Sequence, residues 1–358
     1  MTNRPLPRPG ALLGAVVDDG DDDTGHRLGS LLEGYLSAEV AAVFAVLAIP
    51  DHIGDGTMAV SELAEVAGLA ADPLARLMSA AAVYDLVTVD PRGDVTLTAC
   101  GTRLRTDVPD SVRHSVLGFC WRIPALWEGV GQLAEIVRTG KPGRSTTPDE
   151  VWKYFQREES DALAFRRSMD LVCHVLIDQM RAAGYTLPAC ERLVDVGGGR
   201  GLMLSRLLPE AVVGHAVLFD CVDRSLAAAE KVLSDAGVRD RVDIVNGDFL
   251  VDIPAGDAHL VSQVLHDWDD EHVRTILRNC HRAGRAGGTL VVVDQLLPSD
   301  RVPSTAHVMD LMMMSIGPGR ERTIEHFTGL ARSAGYEFVR DVPTTGRLPW
   351  HILEFRWT

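Results

Sequence analysis

The chain has 358 residues, of which 46% are apolar and 24% are charged, and its formal net charge is -15 at pH 7. This length and apolar content allow two folded domains, each with a buried core, and they exclude a disordered or fibrous polymer. The excess of negative charge argues against binding to nucleic acid or to an anionic membrane, because both require a basic surface that releases counterions. It does not argue against a cationic ligand.

Hydropathy and cysteine spacing predict a soluble, cytoplasmic protein. The longest uncharged apolar run, Val40–Pro50, is shorter than the roughly 18 residues that cross a bilayer, and the N-terminal sequence lacks a secretory pattern. The six cysteines are widely spaced and include no C-x-x-C pair. Neither a disulfide framework nor a zinc thiolate site is therefore predicted.

The N-terminal part predicts a short tail followed by a small helical domain. Residues 1–25 carry a cluster of aspartates that repel one another, so we expect a disordered acidic tail. Residues 26–110 show alanine-rich helical patterns, with helix starts expected at Ser61 and Pro73, and end in an alternating stretch, Leu86–Leu97, split by a turn at Asp90–Gly93. Helices followed by a hairpin predict a winged-helix domain.

A winged helix often binds DNA, which makes a metabolite-sensing regulator an alternative function. The second predicted helix, Pro73–Leu86, has Arg76 as its only cation, with Asp72 just before it and Asp85 within it. Such a surface suits protein contacts better than phosphates. We therefore favour a role in dimerisation for residues 26–110.

Residues 111–185 are predicted to form a helical linker that also lines a substrate pocket. The segment is rich in aromatic side chains, among which Trp127 and Phe155 are pocket candidates, although a plain core role is an alternative for each. From residue 186 to 358, short apolar strands alternate with helices, which predicts an α/β, doubly wound, Rossmann-like sheet. Five strands can be placed, at Arg192–Val196, Ala216–Phe219, Val242–Val245, His259–Leu265 and Thr289–Val293.

The first predicted strand runs into a glycine-rich turn, Asp195–Gly201, that precedes a helix. Glycines at Gly197, Gly199 and Gly201 allow close approach of backbone to a ligand, and the following helix offers free N–H groups. A dinucleotide fingerprint would need a third glycine where Leu202 stands. The resulting D-x-G-x-G-x-G pattern favours the amino-acid part of S-adenosylmethionine, with a dehydrogenase that binds NAD as the alternative.

Further candidate residues follow the ends of later strands. Asp220 ends the second strand, at the spacing from the glycines typical of a carboxylate that binds ribose hydroxyls. Asp248 ends the third strand, where it could face adenine while Phe249 flanks the ring. His266 follows the fourth strand, and Asp294 at the end of the fifth strand and Glu321 after a helix could be brought near it.

These motifs, in this order and spacing, resemble the S-adenosylmethionine-dependent O-methyltransferases of the caffeate and hydroxyneurospirene type. The resemblance spans about Leu28 to the C-terminal strand Ile352–Phe355. It implies a homodimer, S-adenosylmethionine as cofactor and no catalytic metal. It also implies that His266 is the general base, that Glu321 orients it and that Asp294 flanks it.

The resemblance further places Met169 and Ser262 near the cofactor. This sequence departs from the plant members at three positions: Asp294 replaces a glutamate, Gly317 an asparagine, and Ser262 a lysine. These changes make a plant phenylpropanoid substrate unexpected. Methionines of a predicted helix, including Met309 and Met313, are pocket candidates because thioethers fit irregular aromatic surfaces, but a core role is equally compatible.

The predicted function is methylation of a phenolic hydroxyl on an aromatic small molecule. The composition, rich in alanine, arginine, glycine and aspartate, is typical of a GC-rich bacterial source and so of an antibiotic or other specialised-metabolite pathway. An enzyme that uses the cofactor for hydroxylation, decarboxylation or a pericyclic reaction is the alternative. The sequence names neither the acceptor nor the position methylated, and nitrogen could replace oxygen.

Overall fold

The computed structural model describes residues 23–118, 129–141, 159–300, 302–346, 348 and 350–358. These residues form two compact units. The first contains residues 23–118 and Leu163–Met169, and the second contains the remaining described residues. Most of the predicted acidic tail lies outside the described residues, and the first helix begins at Asp23, inside the predicted tail. The predicted domain boundaries at residues 110 and 185 stay predictions.

The first unit consists of helices and a small antiparallel sheet in the order β1-β3-β2. Its helices are α1 (Asp23–Val46), α2 (Ile49–Ile53), α3 (Val60–Ala67), α4 (Ala71–Val83), α5 (Ala99–Thr102) and α6 (Arg113–Val116), and its strands are β1 (Thr57–Ala59), β2 (Val87–Val89) and β3 (Asp94–Leu97). One apolar cluster, with Phe44 and Met78 from the helices and Val87 and Val95 from the strands, forms its core. The predicted order of helices followed by a hairpin is confirmed.

The turn of this hairpin is built as its sequence suggests. A side-chain oxygen of Asp90 accepts hydrogen bonds from the backbone N–H groups of Arg92 (2.8 Å) and Asp94 (2.9 Å). Gly93 has a φ of 90°, a conformation that glycine adopts without a steric penalty. The Asp-Pro-Arg-Gly turn therefore sets the pairing of β2 with β3.

Both predicted helix starts in the first unit are wrong by one or two residues. α3 begins before Ser61, with Ala59 as its N-cap and no side-chain cap, because strand β1 leads directly into the helix. α4 begins two residues before Pro73, which a first helical turn accommodates because its N–H groups have no intrahelical partner. α4 also ends earlier than predicted, before Asp85, whose φ of 56° is left-handed and cannot continue a helix.

The second unit contains a seven-stranded sheet in the order β6-β5-β4-β7-β8-β10-β9. The strands are β4 (Cys190–Val196), β5 (Val213–Asp220), β6 (Val242–Asn246), β7 (Ala258–Ser262), β8 (Thr289–Gln295), β9 (Tyr336–Pro343) and β10 (Trp350–Trp357). The helices are α7 (Leu133–Thr139), α8 (Glu159–Ala182), part of which belongs to the first unit, α9 (Leu202–Leu207), α10 (Asp223–Asp235), α11 (Asp270–Ala283), α12 (Thr305–Ile316) and α13 (Ile324–Ser333).

Strands β4 to β8 are parallel to one another, and β10 is antiparallel to both of its neighbours. This arrangement confirms the predicted doubly wound α/β sheet. Chain order reverses at β4, which lies between β5 and β7. In such sheets, ligands bind beside the carboxyl ends of the strands at this reversal point.

The fourth predicted strand is too long. β7 ends at Ser262 because Gln263 adopts a left-handed φ of 55°, and residues Leu265–Asp267 form a 3₁₀ turn. His266 therefore lies in a turn beyond the strand rather than at its end. Similarly, Asp248 lies two residues beyond the end of β6, in the loop that follows.

Alternation along the strands separates two buried cores on the two faces of the sheet. One core includes Val194 and Val292 with side chains of α11 and α13, and the other contains residues of α8, α9 and α10. By the same alternation, Asp294 shares the face of Val292, whereas Asp195 and Asp220 share the opposite face. The acids at the carboxyl edge are thus distributed over both faces.

Among the described residues, one stretch has the length and composition of a membrane span, Arg27–Val46 within α1. It is one-third buried in the structure and lies near the N-terminus. A single stretch of this kind is weak support for a membrane helix, because core helices of globular proteins pass the same test.

Candidate active site

The glycine loop, Gly197–Gly201, connects β4 with α9 at the reversal point of the sheet. Three of its glycines, Gly197, Gly199 and Gly201, have left-handed φ values of 73°, 56° and 73°. A Cβ atom on Gly198 would lie 2.5 Å from Oδ2 of Asp195, whereas one on Gly199 would meet no atom within 4 Å. The loop therefore packs tightly on one side and faces open space at Gly199.

Two carboxyl groups lie beside this loop. Asp195 is 1% exposed, and its Oδ2 has no hydrogen-bond partner among the described residues. Burial, followed by the nearby charge of Asp220, raises the pKa of Asp195 from 3.8 to about 7. Burial also raises the pKa of Asp220, although the backbone N–H groups of Val222 (2.8 Å) and Gly199 (2.9 Å) donate to its carboxylate and oppose the shift.

The other predicted cofactor residues lie in different surroundings. Asp248 is exposed, and its side chain accepts a hydrogen bond from the backbone of Leu250 (2.8 Å). Phe249 is buried and contacts Trp268 edge to face, with ring centroids 5.6 Å apart. Ser262 is the last residue of β7 and is partly buried. Met169 lies in the part of α8 that belongs to the first unit.

His266 and Glu321 form a buried pair. Nδ1 of His266 donates to Oε1 of Glu321 at 2.9 Å, and the two residues are 9% and 2% exposed. Nε2 is 3.7 Å from Oδ1 of Asp267, which is too long for a hydrogen bond. Burial acts to lower the pKa of His266, but the negative charges of Glu321 and Asp267 outweigh it, so that the pKa lies well above 6.5.

Asp294 lies close enough to this pair to interact with it electrostatically. It is 1% exposed, its Oδ1 is 3.4 Å from Nε2 of Gln263, and its Oδ2 has no hydrogen-bond partner in the described part of the chain. Burial, only partly opposed by the charge of His266, raises the pKa of Asp294 to about 8. Of the three predicted catalytic residues, the structure therefore brings His266 and Glu321 into contact and places Asp294 within electrostatic range of both.

Arg322 is a site residue to which the sequence assigned no role. It is 1% exposed, and its guanidinium donates to the carbonyls of Leu265 (2.9 Å) and Trp268 (2.6 Å) and to the Asp270 carboxylate (3.0 Å). These bonds tie the turn of His266 to the loop of Glu321. The one available sequence signal was an arginine next to a candidate catalytic glutamate, which does not by itself predict burial.

Two predicted pocket residues are described, and both belong to α12. Met313 is 6% exposed and Met309 is partly buried, so both the pocket and the core interpretation stay open. Trp127 and Phe155 lie outside the described residues. In the described part of the chain, no group of three or more His, Cys, Asp or Glu side chains is arranged to hold a metal ion.

A family model for the O-methyltransferase domain matches residues 130–337, more than half of the chain. The chain belongs to the O-methyltransferase family. It is 29% identical to the phenazine O-methyltransferase PhzM of Lysobacter antibioticus, over 89% of this chain and 92% of that protein. It is 31% identical to the 3-amino-4-hydroxybenzoate 4-O-methyltransferase of Streptomyces cremeus, over 93% of this chain and 90% of that protein.

A solved structure extends the comparison to the cofactor. NcsB1, an O-methyltransferase of neocarzinostatin biosynthesis solved with S-adenosyl-L-homocysteine and 1,4-dihydroxy-2-naphthoic acid, has a TM-score of 0.74 and 29% identity. The match covers 90% of this chain and 96% of that one. The protein is therefore an S-adenosylmethionine-dependent O-methyltransferase.

The glycine loop of the methyltransferase fits this cofactor. S-adenosylmethionine carries a positive sulfonium and a positive ammonium group, and Asp195 presents a buried oxygen that lacks a hydrogen-bond partner in the described chain. A nearby cation favours the ionised carboxylate and offsets the burial that raises the pKa of Asp195. The open space at Gly199 leaves room for a ligand against the backbone.

The raised pKa of Asp195 predicts how the stability of the cofactor-free methyltransferase depends on pH. Between about pH 4 and pH 7 the folded state binds more protons than the unfolded state, so the free energy of unfolding decreases as pH rises. The full shift corresponds to about 4 kcal/mol at most. The Asp195→Asn variant should lack the part of this pH dependence that Asp195 contributes. Denaturant titrations at about pH 5 and pH 8 measure the free energy of unfolding of both proteins.

Asp240→Asn is the matched control, because Asp240 is an exposed aspartate of the same unit. It should keep the pH dependence of the wild type. An unchanged pH dependence in Asp195→Asn would contradict the assignment of a raised pKa to this carboxyl.

The buried hydrogen bonds of Arg322 lead to a second prediction, which concerns stability and activity. Arg322→Lys keeps the charge but cannot reach both carbonyls and Asp270 at once, and Arg322→Met leaves Asp270 without its guanidinium partner. Arg322 is buried, but Asp270 is partly exposed and also pairs with His326 at 2.8 Å, so the loss should cost roughly 1 to 3 kcal/mol in the free energy of unfolding. Below its melting temperature, Arg322→Lys should also lower kcat and change the pH–rate profile, because the His266–Glu321 bond is no longer held in place.

Arg320→Gln is the control, since Arg320 is exposed and adjacent in sequence. A variant Arg322→Lys that unfolds earlier but keeps the wild-type kcat and pH–rate profile would limit Arg322 to a purely structural role. The measurements are thermal unfolding and steady-state kinetics over a range of pH.

Proposed function

We propose that this enzyme transfers the methyl group of S-adenosylmethionine to a phenolic hydroxyl of an aromatic small molecule in a bacterial specialised-metabolite pathway. The observation that supports this most directly is the buried His266–Glu321 pair in a chain of the O-methyltransferase family. The two relatives are named for a phenazine and for an aminohydroxybenzoate, and the NcsB1 structure contains a dihydroxynaphthoic acid. All three compounds are aromatic.

His266 is proposed as the general base. Because Glu321 holds the Nδ1 proton, the neutral imidazole has its lone pair on Nε2, the atom that can accept the proton of a substrate hydroxyl. Proton transfer is efficient when the pKa values of donor and base are close, and the raised pKa of His266 approaches the value of about 10 typical of a phenol. Glu321 also stabilises the imidazolium that forms.

Bound S-adenosylmethionine supplies a methyl group that is already electrophilic because it is attached to a cationic sulfur. A cation at the same edge of the sheet also disfavours a second positive charge, so we expect His266 to be less protonated in the loaded enzyme than in the free one. The chain's own contribution is then to orient the acceptor, accept its proton and exclude water. Orientation of this kind is worth several kcal/mol of the barrier.

The cofactor is proposed to lie on the glycine loop, Gly197–Gly201. In this arrangement, Asp195 faces a positive group of the cofactor, and Asp220 accepts hydrogen bonds from the ribose hydroxyls. Asp248, Phe249, Ser262 and Met169 are proposed to surround the adenine and methionine parts. The acceptor pocket is proposed to include Met309 and Met313 together with Trp127 and Phe155.

Substitution of the base tests the proposal. His266→Ala should lower kcat by roughly 10² to 10⁴ while leaving the affinity for S-adenosylmethionine within a few-fold of wild type. Glu321→Gln should give a smaller loss, because the amide still accepts the Nδ1 proton but no longer stabilises the imidazolium. The measurement is transfer of labelled methyl to a panel of aromatic acceptors, with cofactor affinity from calorimetry.

His272→Ala is the control, because His272 is partly exposed and lies in the next helix, α11. Near-wild-type methyl transfer by His266→Ala would refute the assignment of the base. Conversion of an acceptor without gain of a methyl group and without formation of S-adenosylhomocysteine would instead support the alternative chemistry.

We also propose that the first unit forms a homodimer through α1. Five large apolar side chains at helical spacing are exposed on this helix, namely Leu28 (42%), Leu31 (78%), Leu32 (50%), Tyr35 (60%) and Leu36 (38%). An exposed apolar stripe of this length is typical of an interaction surface. A second copy of the chain is the proposed occupant, in agreement with the dimer that the family resemblance implies.

The double variant Leu31→Glu/Tyr35→Glu should be monomeric at micromolar concentration, because it places two charges in the proposed interface. Analytical ultracentrifugation measures the mass, and circular dichroism checks that the exposed substitutions leave the fold intact. Val212→Glu, at an exposed valine of the second unit, is the control. An unchanged dimer in the double variant, or a monomeric wild type, would rule out α1 as the dimer interface.

A further inference from the structure

Arg200 is the one residue with a side chain in the glycine loop, Gly197–Gly201. It stands between Gly199, which faces open space, and Gly201, the N-cap residue of α9. A guanidinium keeps its positive charge at any pH at which the enzyme is folded. A permanent cation in this loop is unfavourable for S-adenosylmethionine, whose sulfonium and ammonium groups are also positive. The fold therefore has to compensate for the charge of Arg200 or hold it away from the ligand.

The side chain of Arg200 forms an ion pair with α8. Its Nη1 donates to Oδ2 of Asp170, and the two side chains are 25% and 21% exposed. Both residues belong to the second unit. Because most of each side chain is shielded from water, the two charges compensate each other more effectively than those of a pair on the open surface.

Further polar contacts fix the face of α8 that carries Asp170. His174 and Asp178 follow Asp170 at spacings of four residues, so the three side chains lie on one face of the helix. The guanidinium of Arg206, in α9, donates to Nδ1 of His174 at 2.7 Å and to Oδ1 of Asp178 at 2.8 Å. α8 is thus joined to the helix that begins at the glycine loop, and Asp170 is held where Arg200 reaches it.

The Arg200–Asp170 pair lies on the same face of the sheet as the two carboxyl groups beside the loop. α8 and α9 pack on one face, and Asp195 and Asp220 share that face by the alternation along their strands. Oδ2 of Asp220 accepts the N–H of Gly199, the residue that precedes Arg200. The ion pair and these carboxyl groups therefore act on a ligand of the loop together.

We propose that Asp170 is a positioning residue for the cofactor: it holds the Arg200 guanidinium against α8 and neutralises its charge, so that the glycine loop accepts the sulfonium of S-adenosylmethionine. The balance of these two charges then sets the preference of the enzyme for S-adenosylmethionine over its product, S-adenosylhomocysteine, which has lost the positive charge on sulfur. This inference rests on the proposed place of the cofactor on the glycine loop, and it is independent of the role of His266.

The test measures the affinity of the full-length enzyme for both compounds by calorimetry, without an acceptor, so that no methyl transfer occurs. Both compounds carry the same ammonium and carboxylate groups, so a change in the ratio of their dissociation constants reports on the sulfonium charge. Asp170→Asn removes the negative charge that faces Arg200 and should weaken binding of S-adenosylmethionine relative to the product by roughly three- to tenfold. Arg200→Gln removes the positive charge that faces Asp170 and should shift the ratio in the opposite direction.

The double variant Asp170→Asn/Arg200→Gln removes both charges and should restore the wild-type ratio, even where each affinity is lower. Loss of a purely structural contact would instead weaken the binding of both compounds to the same extent. The shifts in the single variants should also decrease as the salt concentration is raised. Glu210→Gln is the matched control, because Glu210 lies beyond the end of α9 and pairs at 2.7 Å with another arginine of α8, Arg181. It should keep the wild-type ratio.

Three results would overturn the proposal: an unchanged ratio in both single variants, a change in the same direction in both, or a double variant that keeps the shift of Asp170→Asn. In the first case, a loss of affinity for both compounds in Arg200→Gln alone would assign the guanidinium to direct contact with the cofactor carboxylate. An error in the proposed place of the cofactor is recognised separately, because Asp220→Asn would then leave both affinities unchanged.

Discussion

The guanidinium of Arg322 holds two loops together at the carboxyl edge of the sheet. Its bonds to the carbonyls of Leu265 and Trp268 enclose the turn that carries His266, and its chain neighbour Glu321 reaches the imidazole itself. A further hydrogen bond joins the same two segments, because the backbone N–H of Arg320 donates to the carbonyl of His266 at 2.8 Å. The orientation of the His266 imidazole therefore depends on an arginine that makes no hydrogen bond to it. Because these bonds are buried, water cannot compete for them, and the pair keeps its geometry.

Acids at this edge differ in how the fold compensates their burial. Asp220 accepts two backbone N–H groups, and Glu321 is hydrogen-bonded to an imidazole through one oxygen. Asp195, Asp294 and Glu321 each also have an oxygen without a partner among the described residues. Groups of one chemical type thus acquire different protonation states within one site. The overall charge of -15 says little about this, since few of the acidic side chains in the described part of the chain are buried.

The parts of the fold that depend on local pattern can be predicted from the sequence. The glycine loop, the hairpin at Asp90 and the alternation of strands and helices each follow from nearby residues. Features that are set by contacts between residues distant in the chain cannot be predicted in this way. The left-handed Gln263 that ends β7 has no composition signal, because glutamine rarely adopts this conformation and only its contacts with Val293 and Trp350 explain it. The burial of Arg322 similarly depends on carbonyls more than 50 residues away.

The antiparallel strand β10 also affects how the enzyme is made. β10 lies between β8 and β9 in the sheet, yet it follows both of them in the chain. A ribosome therefore releases β8 with an open hydrogen-bonding edge, and β9 emerges before the one strand with which it pairs. Trp350 and Trp357, at the two ends of β10, are 0% and 5% exposed, so both cores stay incomplete until this strand has been synthesised. Completion of the sheet is consequently a late step in folding, which must wait until β10 has been synthesised.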